Sequence, residues 1–108
     1  MRIRERDLVA MSEAVAAEIR EVLARPKFAR VLTPRRQAVI AAFLFTDAHW
    51  FVPTTRVADC RDPGDDKYLE LALIASATVL VSSDQDLLAL NPWRGIPILR
   101  PAEFLMLP

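Results

Sequence analysis

Five aspartates in this sequence are spaced so that chemistry could be built from them. Asp62, Asp65 and Asp66 surround a Pro63-Gly64 turn, and Asp84 and Asp86 follow an apolar run eighteen residues further on. Carboxylates forced together repel, and such a group is relieved either by taking up protons or by holding a divalent cation. The sequence offers no cluster of His and Cys that would point to zinc instead, because His49 and Cys60 are single residues with no partners at ligand spacing.

For these acids to act together, the elements between them must bring them together. Tyr68, Leu69, Ala72, Leu73 and Ser76 follow helical spacing, and Thr78-Val79-Leu80-Val81 reads as a short buried strand. A helix returning to a parallel sheet places its start near the carboxyl end of the next strand, where open α/β sheets bind ligands. Asp65 at the helix start and Asp84 past the strand end are therefore expected to converge. Asp86 is well placed to cap the helical turn Leu87-Leu88-Ala89-Leu90.

The chain has 108 residues, 53% of them hydrophobic, with two glycines and one cysteine. One ordered domain over residues 1–108 is expected, and a disulfide framework is excluded. No run of about 18 apolar residues suggests a membrane span. The mixed-charge start does not read as a signal peptide, so a cytoplasmic location is expected. Net charge is zero but unevenly spread: residues 1–56 carry ten Lys/Arg against six Asp/Glu, and residues 57–108 carry four against eight. Arg25, Lys27, Arg30, Arg35 and Arg36 fall in a stretch from Val22 to Thr46 without any acid. A basic half beside an acidic pocket suits a polyanion, while an ordinary solvated surface explains the same pattern.

In chain order, Asp7 to Ala10 reads as a strand and Ser12 as the N-cap of a helix running to about Ala24, stopped by Pro26. Val15, Ile19, Val22 and Leu23 form its apolar stripe, with Glu18 on the flank. Phe28 to Leu32 is a short irregular or helical piece. Thr33-Pro34 opens a second helix with Val39, Ile40, Phe43 and Leu44 as its core face. Trp50 to Val52 reads as a strand, with His49 at its edge. Ile96 to Leu99 reads as a last strand, which Pro97 confines to a sheet edge or a strand start, and a helical turn follows from Pro101. The order of elements means an α/β domain with a mainly parallel sheet.

Several segments, in this order, resemble the PIN-domain nucleases, and among them the group assigned as toxin components of toxin–antitoxin pairs (VapC-like). Ser12-Glu-Ala-Val-Ala-Ala-Glu18 through Phe28 looks like that group's strand-to-helix segment, whose Glu is a metal-site acid. Asp62-Pro-Gly-Asp65-Asp-Lys-Tyr-Leu-Glu-Leu-Ala72 is similar to its DPDDDKFLxLA pattern, and Val81-Ser-Ser-Asp84-Gln-Asp86-Leu-Leu to its VTGDxDLL pattern. Gly95 to Leu105 is similar to its closing strand and turn. The resemblance implies a PIN-like α/β/α sandwich. It puts the catalytic acids on Glu18, Asp65 and Asp84, with Asp86 as an auxiliary metal ligand and Asp62 and Asp66 less firmly placed. It also implies one or two Mg²⁺ or Mn²⁺ ions, RNA as substrate, a cognate antitoxin protein and a homodimer.

One departure accompanies the resemblance. PIN domains open with a hydrophobic strand ending in an Asp-Thr/Ser-Asn type motif, and the mostly charged residues before Leu8 do not supply it. A sheet lacking its first, central strand is therefore expected, either in a truncated homologue whose halves close together or swap between protomers into a dimer, or in a fragment of a longer chain. The halves that the resemblance implies, Leu8–Ala10 with Trp50–Val52 and Thr78–Ser82 with Ile96–Leu99, then lose their shared neighbour, and two strands expose costly backbone groups unless they pair with each other or with another chain. Two functions follow as expectations. One is an endoribonuclease whose rate the missing ligand impairs. The other is a non-catalytic remnant serving as a dimeric or antitoxin-binding scaffold.

Overall fold

The structure, a computed structural model, describes residues 8–31, 33–46 and 48–107. The residues before Leu8, on which the question of an opening strand and the start of the first expected strand fall, lie outside the described residues. The chain forms two compact units, one of Leu8–Val52 and the other holding the described residues from Pro53 on.

In the first unit a strand β1 (Ala10–Met11) leads directly into helix α1 (Glu13–Leu23). Ser12 makes the junction: its extended backbone leaves the strand, and its Oγ accepts from the Val15 N–H at 3.3 Å, satisfying one of the donors that every helix start leaves open. Val15 and Ala16 are buried beside Met11, and Ile19, Val22 and Leu23 continue the stripe half-buried. Pro26 does not merely stop α1; it begins a helix of its own, α2 (Pro26–Val31). Thr33 then caps α3 (Pro34–Thr46), its Oγ1 accepting from the Arg36 N–H at 3.2 Å. Strand β2 (His49–Trp50) returns parallel to β1, with Ala10 opposite His49 and Met11 opposite Trp50. A parallel return needs a long crossover, which the three helices provide.

Two sequence expectations change here. Val39, expected on the core face of α3, is 62% exposed. The run from Ala38 to Phe45 is apolar throughout, so it defines no single stripe from which an inward face could be read. The side chains of Ile40, Phe43 and Leu44 lie outside the described residues. The strand expected over Trp50–Val52 sits one to two residues earlier, and Val52 is 82% exposed.

The second unit begins with an irregular segment that reaches a single 3₁₀ turn (Pro63–Asp65) and then helix α4 (Asp66–Ile74). Strand β3 (Leu80–Val81), a one-turn helix α5 (Gln85–Leu88), strand β4 (Ile98–Leu99) and a last helix α6 (Pro101–Leu105) follow. β3 and β4 are parallel, with Leu80 opposite Ile98 and Val81 opposite Leu99. The core gathers Val57, Cys60, Leu69, Leu87, Trp93 and Ile98, with Tyr68, Leu73, Leu80, Leu88, Leu90 and Ile96 packed around it. β3 is shorter than expected and half-buried rather than buried, and among the described residues one strand, β4, pairs with it. Before β4, Trp93 and Ile96 exchange backbone hydrogen bonds across Arg94 and Gly95, both at positive φ (48° and 81°), the conformation of a tight hairpin turn. Pro97 precedes β4, and its carbonyl accepts from Leu80.

The fold is therefore α/β with parallel strands, as expected. The described strands lie in two separate two-stranded sheets, and each pairs with the partner expected for it. No helix among the described residues is long and apolar enough to cross a membrane.

Candidate metal centre

Three carboxylates of the second unit come together. Asp62, Asp65 and Asp86 each offer an oxygen, and these oxygens all lie within 4.8 Å of one another. Local sequence explains how each arrives. Asp62 precedes Pro63-Gly64 in extended backbone, and its Oδ1 accepts from the Gly64 N–H at 2.9 Å, while the Asp65 N–H returns to the Asp62 carbonyl at 3.0 Å. That turn folds Asp62 back toward Asp65. A Cβ on Gly64 would stand 3.2 Å from the Asp62 Oδ1, so glycine leaves the carboxylate its place. Asp65 occupies the N-cap position of α4 without using its side chain as a cap, and its Oδ2 is shut off from solvent. Asp86 projects from the first turn of α5.

The cap of α5 is Asp84 and not Asp86. The Asp84 Oδ1 accepts from the N–H groups of Asp86 (2.8 Å) and Leu87 (3.2 Å), and Ser82 Oγ in turn accepts from the Asp84 N–H at 3.0 Å. An N-cap oxygen reaches the second and third helical amides, so the residue before Gln85 is the one with the correct reach. Asp86 is thereby released to join Asp62 and Asp65, and Asp84, exposed at the cap, stands outside that group.

Asp66 has a different occupation. It is buried, and its Oδ1 accepts from the Cys60 N–H at 2.9 Å. One turn further along α4, the Glu70 Oε2 accepts from the Val57 N–H at 2.9 Å. Asp59 accepts from Trp93 Nε1 at 2.9 Å and from Arg94 at 3.3 Å, and the Arg94 guanidinium lies over the Trp93 ring. Burial pushes the Cys60 thiol above its ordinary pKa. The backbone hydrogen bond at Asp62 opposes that shift, and the charges of Asp65, Asp66 and Asp86 add to it. Cys60 is thus a packed, protonated thiol.

A family model for the PIN domain matches residues 1–86, a stretch that holds all three carboxylates. The chain belongs to the PIN-domain family. No curated protein and no solved structure matches it. PIN domains are a nuclease family whose members generally depend on divalent metal and bind RNA, and the donor set of this PIN domain fits that chemistry. The clustered group is all carboxylate oxygen, the hard donor that Mg²⁺ and Mn²⁺ prefer, and contains neither imidazole nor thiolate.

The other residues singled out from the sequence lie in the first unit of this PIN domain. Glu18 is half-buried on α1, beside the apolar stripe. Arg25 follows α1 and pairs loosely with Glu21 at 3.9 Å, an exposed contact of little energetic weight. Lys27 and Arg30 are exposed on α2, and Arg35 and Arg36 on the first turn of α3. Sequence reasoning gave Asp62 less weight than Asp84. The signal that favours Asp62 is the Asp-Pro-Gly turn, which folds it back toward Asp65. Asp59 and Glu70 carried no motif, and only their long-range partners reveal them.

Proposed function

We propose that this PIN domain is a toxin-type endoribonuclease that cleaves RNA phosphodiesters with Mg²⁺ or Mn²⁺. The observation that carries the reading is the convergence of Asp62, Asp65 and Asp86 inside the stretch matched to the family. A bound Mg²⁺ or Mn²⁺ supplies a water of lowered pKa and offsets negative charge on the scissile phosphate. Asp62, Asp65 and Asp86 would hold the cation through their carboxylate oxygens, Asp65 and Asp86 from two helix starts and Asp62 from the exposed turn. Glu18 and Asp84 are the further catalytic acids of this reading, on the strength of the family resemblance. Arg25, Lys27, Arg30, Arg35 and Arg36 hold the RNA backbone. Arg35 and Arg36 stand at a helix N-terminus, where the dipole disfavours cations, so helix stability does not account for them. A cognate antitoxin protein and a homodimer belong to the same reading.

The test is cleavage of a mixed RNA pool with and without Mn²⁺, by wild type, Asp65→Asn and Asp84→Asn. Metal-dependent cleavage that disappears in both variants is expected. Undiminished cleavage by Asp65→Asn would falsify the assignment. Asparagine caps helices about as well as aspartate, so Asp84→Asn removes charge while keeping the cap. Full cleavage by that variant confines Asp84 to its structural task.

A second reading, a non-catalytic scaffold for a protein partner, draws on the exposed apolar residues Leu8, Val31, Val39 and Val52 of the first unit. A Mn²⁺-induced rise in melting temperature that vanishes in Asp65→Asn counts against it, because only a site formed in the folded state stabilises by linkage.

A further inference from the structure

Asp65 and Asp86 are placed by helices, but Asp62 comes from the irregular chain that precedes the 3₁₀ turn, and something has to set it in register with the other two. The segment leading to it is tied to α4 by two carboxylates one turn apart. Asp66 takes the Cys60 N–H and Glu70 takes the Val57 N–H, each at 2.9 Å, so the segment Val57–Cys60 lies along the helix. Its two inward side chains, Val57 and Cys60, enter the core. The Asp66 bond lies closest to Asp62, two residues away in the chain, and Asp66 is only 8% exposed.

A buried fourth acid next to a carboxylate group is unfavourable by repulsion and by desolvation. The first turn of α4 favours an acid and offsets part of that cost, and the carboxylate oxygen has a task besides. Here it satisfies a buried backbone amide, and loss of that acceptor would leave the Cys60 N–H unsatisfied.

We propose that Asp66 is the positioning residue of the metal centre: it holds the Cys60 amide and so sets Asp62 against Asp65 and Asp86, without touching the cation itself. The inference rests on the reading of Asp62, Asp65 and Asp86 as a metal site.

The experiment measures Mn²⁺ binding to the full chain from the electron paramagnetic resonance signal of free Mn²⁺. Melting temperatures in EDTA are recorded alongside, so that affinity is separated from folding. Asp66→Asn keeps an oxygen that accepts from Cys60, and its Kd is expected within about threefold of wild type, whereas Asp66→Ala weakens binding roughly 10–100-fold while the metal-free protein still folds. Should Asp66→Ala fail to fold, Asp66→Ser replaces it, since serine suits the first turn of a helix but does not reach the Cys60 amide. Two results overturn the proposal: loss of affinity in Asp66→Asn equal to that of the shortened variant, which makes Asp66 a charge ligand, or wild-type affinity in the shortened variant. If wild type itself binds no Mn²⁺, the metal-site reading fails first and this inference falls with it.

Discussion

The two units of this PIN domain are held in different ways. In the unit from Pro53 on, polar side chains reach across the sequence to fasten irregular chain: Glu70 to Val57, Asp66 to Cys60, Asp59 to Trp93, and the Asn91 Oδ1 to the Ile98 N–H at 2.7 Å. In Leu8–Val52 the side-chain contacts described above are local, caps spanning three residues at Ser12 and Thr33 and the loose Arg25–Glu21 pair, and Leu8, Val31, Val39 and Val52 are exposed. The unit from Pro53 on carries the clustered carboxylates, and Leu8–Val52 carries the run of cations from Arg25 to Arg36. Precise placement of acids needs rigid, cross-linked chain, whereas backbone phosphates are held well enough by exposed, adaptable cations.

That contrast is open to direct attack, beginning with its energetic side. Leu69 is fully buried in the acidic unit, and Leu69→Ala should cost about 2–5 kcal/mol in denaturant unfolding. Val52→Ala, at an exposed position of the basic unit, should change stability by no more than about 0.5 kcal/mol. Similar losses in the two variants would erase the distinction between a cross-linked unit and an open one.

A smaller effect is expected from the double variant Arg35→Glu, Arg36→Glu. RNA affinity should fall by roughly tenfold or more at low salt, and the slope of log affinity against log salt should shrink by about 1.4 if each arginine meets one phosphate. An unchanged slope returns these cations to the ordinary solvated surface.

The two helix caps compare the units at the same scale. Ser12→Ala and Asp84→Ala should each cost about 1 kcal/mol without metal. Asp84→Ala adds a second reading when repeated with Mn²⁺, because a stabilisation by metal that survives the substitution shows Asp84 to be a cap alone.

The smallest effect concerns alkaline pH. The Cys60 thiol ionises in the unfolded chain near pH 8.5, about the ordinary value, but at higher pH in the folded one. The unfolded state thus binds fewer protons across that interval, and the stability this thiol contributes is present below about pH 8.5 and is lost as pH rises through the folded value. The stability difference between wild type and Cys60→Ala should therefore narrow above that pH. A constant difference would mean that Cys60 ionises alike in both states.

Local features of this chain were legible in the residues. Ser12 and Thr33-Pro34 announced two helix starts, and the Pro63-Gly64 turn announced a third. The pairing of the first strand with the second, and of the third with the fourth, was legible through the family resemblance. The core face of α3 was not legible, because an unbroken apolar run carries no phase. The cap of α5 was placed two residues late, on Asp86 instead of Asp84, since both residues have cap chemistry and only the start of α5 chooses between them.

The sequence by itself determined the family, the α/β character with parallel pairs, and the stretch in which the acids lie, because motifs, caps and periodicity act within a few residues. Only the tertiary structure decided which carboxylates meet. Asp62 and Asp86 stand far apart in the chain, and their approach depends on α4, β3 and the core around Leu69. It also decided that Asp66, identical in type to its neighbour Asp65, turns into the protein to hold a backbone amide, a difference set by burial and hydrogen bonding and by nothing in the residue itself.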